Sequence, residues 1–451
     1  MLNQRQLTEL CRRGAVDTVV MVFPDMLGRL LGKRVTGRFF ADEAAAHGTH
    51  ACAYLLTVDM EMEPVQGFEL TSWEKGYGDF HLVPDFSTAR LIPWLEKTAL
   101  VLCDLAAEDG GPVDVSPRQI LKNQLARAAA KGFRFQVGSE LELFLYKDGY
   151  DEARAKGYHG LTPLGSYIED YHILQGTKEE FVVRAIRNGL EAAGVPVEGS
   201  KGEWGHGQQE INLRHCDPLR MADNHALYKH GAKEIALSKG VSATFMAKPS
   251  AAQAGSSCHM HTSLWDASQK KNLLWNDKAK GPSQLFSQAM AGSLALARDF
   301  SLFFAPTVNS YKRYQSASFA PTRLVWGKDN RTTGFRIVGS GQSFRVENRV
   351  PGADANPYLA FAATIAAFLH GIEKGLKAPP EFKGDAYNTK GLAEVPKSLN
   401  EAVRSWEGSA AARAAFGDTV HRHYLRAARW ELETFERAVT CWELNRYFER
   451  I

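Results

Sequence analysis

Hydrophobic and charged positions alternate along GSELELFL (138–145), and this pattern predicts a β-strand that enters a hydrophobic core. Successive side chains on a strand point to opposite faces, so Glu140 and Glu142 share one face and the leucines that follow them share the other. Taking a bare carboxylate out of water is costly, and two neighbouring carboxylates also repel each other. The strand therefore indicates either a face that is exposed to solvent or a cation that neutralises both glutamates.

The rest of the chain predicts an irregular mixture of elements. Short β-rich runs are predicted at 19–23, 53–58 and 100–105. Helices are predicted at 118–131, 177–194, 222–239 and through most of the chain after a surface excursion at 377–396. Thr177 and Glu180 form a capping box for the second of these helices, and residues 147–176 are typical of a long ordered loop. This order of elements predicts an α+β fold, not a doubly wound sheet.

The stretch AAEDGGPVDVSP (106–117) is the best candidate for a domain boundary, because it combines acidic residues, paired glycines and two prolines. It separates a small N-terminal domain, residues 1–108, from a larger domain, residues 112–451. A chain of 451 residues is long enough for two or three such domains.

Composition narrows the class of protein. An apolar content of 44% and a charged content of 23% are those of an ordinary globular protein. The net charge of +3 is nearly neutral for this length and argues neither for nor against an anionic partner. No run of Lys and Arg marks a nucleic-acid-binding stripe, so we expect no nucleic-acid partner, and no apolar run is long enough to predict a membrane span. Six cysteines without a CxxC pair favour a reducing cytoplasm and disfavour a zinc knuckle. We therefore expect a cytoplasmic protein.

Three further segments place charged side chains on predicted strand faces. They are CHMHTSLW (258–265), FRVENRV (344–350) and GEWGHGQQEINL (202–213), which carry His259, His261, Arg345, Glu347, Arg349, Glu203 and Glu210. A half-exposed sheet would explain any one segment. Taken together, however, the charged residues on these faces are Glu, His and Arg without Lys, whereas solvated faces usually include Lys.

The residue types in this set indicate a metal site. Oxygen-rich ligation with a minority of imidazole suits Mg²⁺ or Mn²⁺. Five glutamates are too many for one ion, so the set predicts two metals. Arg313, Arg331, Arg336, Arg345 and Arg349 also fall within one forty-residue stretch. Guanidinium groups suit phosphate and carboxylate oxygens. Metals beside arginines are what phosphoryl transfer requires, and the sequence has no GxxxxGK[ST] loop to hold a nucleotide instead.

Six motifs resemble, in order, those of the glutamine synthetase family: GSELELF, GEWGHGQQEI, AGSSCHMHTSL, NSYKR, DNRTTGFRI and RVENRVPGADANPYL. The resemblance implies one metal on Glu142, Glu203 and Glu210, and a second on Glu140, His259 and Glu347. The implied glutamate site includes Gly255, Arg313 and Arg349. The implied ATP site includes His261, Ser263, Arg331, Arg336 and Arg345, and Arg331 and Arg313 are the implied catalytic residues.

The resemblance also implies a fold, an assembly and a reaction. The fold is a small β-grasp domain followed by a catalytic domain in which helices surround an antiparallel sheet. The assembly is a homo-oligomer, expected as a dodecamer of two stacked hexameric rings with active sites between subunits, where Asp59 is a candidate to bind the amine of a neighbour's site. ATP activates the γ-carboxylate of glutamate as an acyl phosphate, and an amine nitrogen then displaces the phosphate.

Two positions depart from the ammonia-using members of the family. The stretch NSYKRYQSASFAPT places Phe319 where those members carry a glutamate, and Ala254 stands where they usually carry an asparagine. An aromatic ring suits an amine with a carbon tail, or a cationic tail, better than a small hydrated ammonium ion. We therefore expect an ATP-dependent ligase of the branch that makes γ-glutamyl amides of amines and polyamines.

Other functions remain open at this stage. In an ammonia-using glutamine synthetase, Phe319 would merely pack against the rest of its own loop, and another residue would bind ammonium. A non-catalytic member of the family should have lost metal ligands or arginines, yet all of them are present. The unbroken NSYKR and RVENR motifs argue against a phosphotransferase that acts on guanidino compounds. Methylamine, ethanolamine, a longer alkylamine, an aromatic amine and a diamine are all candidate substrates.

Overall fold

The computed structural model describes residues 1–451 and has an α+β fold built on two main sheets. The strands are β1 Thr18–Pro24, β2 Leu30–Thr36, β3 Thr49–Cys52, β4 Asp79–Pro84, β5 Arg90–Leu91, β6 Thr98–Ala106, β7 Phe133–Tyr146, β8 Val197–Gly202, β9 Gln208–Leu213, β10 Ser242–Thr244, β11 Cys258–Asp266, β12 Trp275–Asn276, β13 Gly281–Pro282, β14 Trp326–Lys328, β15 Phe335–Val338 and β16 Arg345–Asn348. The expected α+β class is confirmed.

The α-helices lie around and after these strands. They are α1 Gln4–Arg12, α2 Gly37–Phe39, α3 Ala45–His47, α4 Pro117–Ala130, α5 Tyr150–Ala155, α6 Ile173–Thr177, α7 Glu180–Ala192, α8 Pro218–Ser238, α9 Gln284–Leu296, α10 Ser301–Phe304, α11 Pro357–Glu373, α12 Leu399–Gly408, α13 Ala410–Phe416, α14 Asp418–Arg437 and α15 Cys441–Tyr447. None of the helices is both long enough and apolar enough to cross a membrane.

The first sheet is formed by strands β1 to β6, in the order β2–β1–β6–β4–β3 with β5 beside β6. Strands β1 and β6 run parallel, and the other pairs are antiparallel. All but one residue of β1 are buried, which agrees with its apolar sequence TVVMVFP. The hydrophobic core is continuous from this sheet into the rest of the chain. The domain division between residues 108 and 112 stays a prediction.

The second sheet carries the charged faces. Its strand order is β14–β15–β16–β11–β7–β9–β8 with β10 beside β7, and only β14 and β15 run parallel. Helix α11 packs against α4, α8 and α9 and is almost entirely buried, while α4 and α8 also contact β7. One face of the sheet is therefore covered by helices, and the opposite face is available for polar side chains.

Three local predictions are wrong, wholly or in part. Residues 53–56 form a 3₁₀ helix, and the strand lies just before them at Thr49–Cys52. Thr177 does not cap a helix: its hydroxyl donates a hydrogen bond to the carbonyl of Ile173 at 2.9 Å, within α6. Helix α7 instead begins after Glu179, which has no capping bond from its side chain. The predicted loop at 147–176 also contains α5 and most of α6.

Candidate active site

A polar cavity of about 620 Å³ opens over the second sheet. The sheet register explains why side chains distant in sequence meet here. Glu140 of β7 lies opposite His259 of β11, and Glu142 lies opposite Glu210 of β9. Both glutamates of β7 line the cavity, as the alternation along that strand predicted. The predicted site residues that line it are Glu140, Glu142, Glu203, Glu210, Gly255, His259, Phe319, Arg331, Arg336 and Arg349.

Two groups of side chains are spaced closely enough to hold a cation. The ligand atoms of Glu140, His259 and Glu347 lie within 4.8 Å of one another, and this is one of the two predicted metal sets. Glu142, Glu210 and His259 form the other group at the same spacing. Glu203 falls outside that second group, and its Oε1 contacts the ammonium group of Lys201.

The electrostatics of these residues fit a bound cation. Burial, together with repulsion from Glu203 and Glu210, raises the pKa of Glu142 well above its usual value. Burial also raises the pKa of Glu210 to about 7. The Nε2 atom of the buried His259 has no hydrogen-bond partner. Crowded carboxylates beside a free imidazole nitrogen are the ligand set that Mg²⁺ or Mn²⁺ would neutralise.

The buried Arg349 and the partly buried Arg336 compensate the charge on the predicted metal ligand Glu347. Arg336 donates a hydrogen bond from Nη1 to its Oε2 at 2.8 Å, and Arg349 contacts its Oε1. Burial alone would raise the pKa of Glu347, but the positive charges of His259 and Arg349 hold it below its usual value. Glu347 thus connects Arg336 and Arg349 to the metal-ligand face.

A second cavity, of about 280 Å³, lies beside the first and contains predicted ATP-site residues. Its lining includes His261, Ser263 and Arg345, and it shares Glu140 with the first cavity. His261 donates from Nε2 to Oε1 of Glu140 at 2.8 Å and accepts from Nε of Arg345 at 3.1 Å. Burial would raise the pKa of Glu140, but hydrogen bonds from His259 and His261 lower it well below its usual value. Glu140 therefore connects the two cavities electrostatically.

Arg313 lies next to the large cavity but does not line it. Its guanidinium group is buried and donates to Ser257 Oγ at 3.1 Å and to the carbonyls of Arg349, at 3.2 Å, and Pro351, at 3.0 Å. In this geometry it holds the backbone that follows β16. Its roles in catalysis and glutamate binding stay predictions.

Gly255 lines the cavity at a point where no side chain fits. A Cβ atom there would lie 2.4 Å from Cγ of Arg313 and 2.8 Å from the carbonyl oxygen of Ala247. Because Gly255 has no side chain, the buried side chain of Arg313 has room to lie beneath the cavity floor.

Residues 314–322, which we call the flap, present Phe319 to the cavity. Its ring is 53% exposed and lies edge-to-face against Trp204, with centroids 6.3 Å apart. Two hydrogen bonds hold the flap backbone in place. Arg349 donates from Nη2 to the carbonyl of Phe319 at 3.1 Å, and the Tyr387 hydroxyl donates to the carbonyl of Ala320 at 3.1 Å.

A buried carboxyl pair lies behind the loop that carries Glu203. Gln209 donates from Nε2 to Oε2 of Glu169 at 2.9 Å and to Oε2 of Glu179 at 2.8 Å, and the two remaining Oε1 atoms have no partner. Burial raises the pKa of Glu179 to about 8, and the neighbouring Glu169 adds to the rise. The backbone N–H of Glu169 donates to the carbonyl of Glu203 at 3.3 Å, which connects this pair to the cavity wall.

Asp59 lies away from both cavities of its own chain. Its Oδ1 accepts from the backbone N–H groups of Glu61 and Glu63, both at 3.0 Å, and its Oδ2 accepts from Trp430 Nε1 at 3.1 Å. A role of Asp59 in a neighbouring subunit stays a prediction.

The prediction from sequence missed several cavity residues. They include Asp170, Tyr171, Glu198, Lys201, Trp204 and Asn212. Two of them had a detectable signal. Lys201 precedes Glu203 by two residues, which places both on one face of an extended chain, and Trp204 directly follows that predicted metal ligand.

The sheet, its carboxylate ligands and its arginines define the class of protein. Residues 114–447 match the glutamine synthetase catalytic domain, and the chain belongs to the glutamine synthetase family. It is 50% identical to γ-glutamylethanolamide synthetase of Streptomyces coelicolor over 450 residues, which cover 100% of this chain and 96% of the relative. It is 37% identical to glutamate–isopropylamine ligase of Pseudomonas sp., with 100% and 99% covered.

A solved structure described as a GmaS/ADP complex superimposes with a TM-score of 0.85 at 28% identity. The match covers 98% of this chain and 99% of that structure. The glutamine-synthetase-type fold expected from the motifs is confirmed.

Proposed function

We propose that this protein is an ATP-dependent ligase that joins the γ-carboxylate of glutamate to the nitrogen of an amine larger than ammonia. The observation that carries the proposal is the aromatic pair of Phe319 and Trp204 at the cavity. Phe319 stands where ammonia-using members of the family carry a glutamate. The names of the two ligase relatives, for ethanolamine and isopropylamine products, support the same class of nucleophile.

The cavity provides the charges that the first half of such a reaction requires. ATP supplies the phosphoryl group, and divalent cations on the glutamate and histidine ligands, either Mg²⁺ or Mn²⁺, supply electrostatic stabilisation of the phosphate oxygens. Arg331 and Arg336 line the same cavity and are proposed to bind phosphate, while Arg349 is proposed to hold the glutamate carboxylate. Rigid guanidinium groups at the cavity wall orient both substrates without large rearrangement.

The amine is proposed to enter between Phe319 and Trp204. Both rings are about half exposed, at 53% and 52%, so a carbon tail can cover apolar surface that water otherwise contacts. Each buried methylene contributes ~0.8 kcal/mol, so a two-carbon tail would favour an alkylamine over ammonia roughly tenfold. Aromatic faces also attract an alkylammonium group. The amine must still lose a proton before it attacks, and phenylalanine cannot accept one.

A panel of amines tests the proposal. Purified protein is supplied with ATP, Mg²⁺ and glutamate, and phosphate release is measured with ammonia, methylamine, ethanolamine, a longer alkylamine, an aromatic amine and a diamine at equal concentrations. We expect at least one amine to give a higher kcat/KM than ammonia. If ammonia is the best nucleophile in the panel, the protein is an ordinary glutamine synthetase.

Variants test whether the amine preference depends on Phe319 and Trp204. Phe319→Ala and Trp204→Ala should raise KM for the preferred amine more than KM for ATP, and Phe319→Glu should shift preference toward ammonia. Phe181→Ala is a matched control, because Phe181 is similarly exposed, at 49%, but lies on α7 outside the cavity. Equal effects of Phe319→Ala and Phe181→Ala on the amine KM would contradict the assignment.

The assembly is also a proposal. We infer two stacked rings of six chains from the family resemblance, with Asp59 of one chain near the site of another. Large apolar side chains of α15, among them Trp442 and Leu444, are exposed on the single chain and provide surface that an assembly can bury. Light scattering should give a mass about twelve times the 49.9 kDa of one chain. A monomer with full activity would contradict the proposal.

A further inference from the structure

Two loops meet at the edge of the large cavity, and each carries part of a proposed substrate site. Residues 247–256, which we call the glutamate loop, include Gly255 of the cavity wall. Residues 203–207, which we call the tryptophan loop, include Trp204 of the aromatic pair. The loops are far apart in sequence, so the position of one relative to the other depends on contacts through space.

The glutamate loop is fixed by a buried lysine. Lys248 is 7% exposed, and its ammonium group contacts the carbonyl of Gln253 across the loop. The backbone N–H of Lys248 donates to Oδ1 of Asn309 at 2.9 Å, and Nδ2 of Asn309 donates back to the carbonyl of Lys248 at 2.9 Å. The backbone of Gln253 is therefore held in a defined position from which its side chain leaves the loop.

The side chain of Gln253 contacts the tryptophan loop. Its Oε1 accepts from the backbone N–H of His206 at 3.1 Å. A second glutamine makes the reverse contact: Gln208 accepts through Oε1 from the N–H of Gly205 at 2.9 Å and donates through Nε2 to the carbonyl of Gly255 at 3.0 Å. Two glutamine side chains thus join the loops at adjacent residues, directly after the tryptophan.

The two glutamines differ in their other contacts. Nε2 of Gln208 also donates to the predicted metal ligand Glu142 at 3.0 Å, so its replacement would disturb several contacts at once. Gln253 does not line the cavity, and the hydrogen bond to His206 is the one that its side chain makes. A substitution of Gln253 therefore isolates the contact between the loops.

We propose that Gln253 is a positioning residue for the amine: by holding His206, it fixes the ring of Trp204 opposite Phe319 and so sets the width of the amine subsite. The inference rests on the amine side of the proposed function. Without this hydrogen bond, the half-exposed ring of Trp204 would sample more positions. A wider subsite should bind a carbon tail less well, whereas ammonia, which has no tail, should be unaffected.

Steady-state kinetics with the preferred amine of the panel test the assignment. Gln253→Leu removes the acceptor at similar size and should raise KM for the amine about fivefold, as expected for one lost neutral hydrogen bond. KM for glutamate should stay close to the wild-type value, because Lys248 still holds the glutamate loop. Gln253→Ala should give the same result if the leucine variant does not fold. Gln253→Glu keeps an acceptor oxygen and should restore the wild-type KM.

Gln119→Leu is the matched control. Gln119 is also partly buried, but it donates to Asn123 within α4 and lies outside the cavity. We expect this variant to keep the wild-type KM for the amine. An increase equal to that of Gln253→Leu would overturn the inference.

A double-mutant cycle tests whether Gln253 acts through Trp204. Trp204→Ala and Gln253→Leu should each raise KM for the amine, and the double variant should resemble Trp204→Ala alone, because an absent ring cannot be misplaced. Effects that multiply in the double variant would overturn the inference. Equal increases in KM for glutamate and for the amine in Gln253→Leu would also overturn it, since Gln253 would then only hold its own loop.

Acrylamide quenching reports the exposure of Trp204 with no substrate present. The chain has nine tryptophans, so the contribution of Trp204 is the difference between each protein and its Trp204→Phe partner. We expect this contribution to be quenched more strongly in Gln253→Leu than in the wild type, and equal quenching would overturn the role of Gln253. A wild type that prefers ammonia, with unchanged kinetics in Trp204→Ala, would instead contradict the proposed function.

Discussion

Replacement of Glu179 by glutamine should stabilise the protein at high pH. The carboxyl groups of Glu179 and Glu169 are buried together, and only Gln209 donates to them. In Glu179→Gln the new amide can accept from Gln209 through its oxygen and donate through its nitrogen to the unpartnered Oε1 of Glu169. The substitution removes the buried negative charge of Glu179 and gives Oε1 of Glu169 a hydrogen-bond donor.

The pKa determines both the sign and the size of the effect. A carboxyl group whose pKa is raised on folding, here from 4.5 to about 8, binds more protons in the folded state. The protonated group's favourable contribution to the free energy of unfolding is complete below pH 4.5 and is lost as the pH rises through 8. The full shift corresponds to ~5 kcal/mol, an upper limit because the interior relaxes around a charge. We expect a net gain of ~2 kcal/mol above pH 8, or a few degrees in Tm.

The assay is thermal unfolding in EDTA at pH 5 and pH 9. Glu179→Gln should have a wild-type Tm at pH 5 and a higher Tm at pH 9. Glu180→Gln is the matched control, because the adjacent glutamate is half exposed, forms an ion pair with Arg187 and has a lowered pKa. That variant should be slightly destabilised at pH 9. A Tm difference for Glu179→Gln that is the same at both pH values would refute the reasoning.

Four other substitutions test the cavity. Gly255→Ala places a methyl group against Arg313 and should lower kcat/KM at least tenfold. Arg349→Ala should mainly raise KM for glutamate, and Arg331→Ala should mainly lower kcat, each by roughly a hundredfold for a lost charge-assisted contact. Tyr387→Phe removes a hydrogen bond to the flap and should raise KM for the amine severalfold, as steady-state kinetics would measure.

Each of these predictions has a contrary result. Wild-type kinetics in Gly255→Ala would mean that the cavity floor adapts to a methyl group. If Arg349→Ala and Arg331→Ala altered only the ATP dependence, the division between glutamate and phosphate contacts would be wrong. A change in KM for ATP alone in Tyr387→Phe would show that the flap does not position the amine.

The cavity floor was predictable because it depends on a local rule. Alternation along a strand places Glu140 and Glu142 on one face, and the structure confirms it. The predicted capping box did not form because the Thr177 hydroxyl donates to the carbonyl of Ile173 within α6 and the Glu180 carboxylate pairs with Arg187. The position of Lys201 opposite Glu210 depends on how β8 pairs with β9, and the sequence does not specify that register.

Much of the metal side of the cavity is built on paired strands, whereas the proposed amine side is built on loops. Glu140, Glu142 and His259 extend from neighbouring strands whose backbones are bonded to each other. Phe319 and Trp204 extend from two connecting segments, where substitutions disturb fewer shared contacts. Natural selection or directed evolution can therefore exchange one nucleophile for another at the loops while the phosphoryl-transfer machinery is inherited intact. A single scaffold of this kind can give rise to a series of ligases that differ only in the amine they consume.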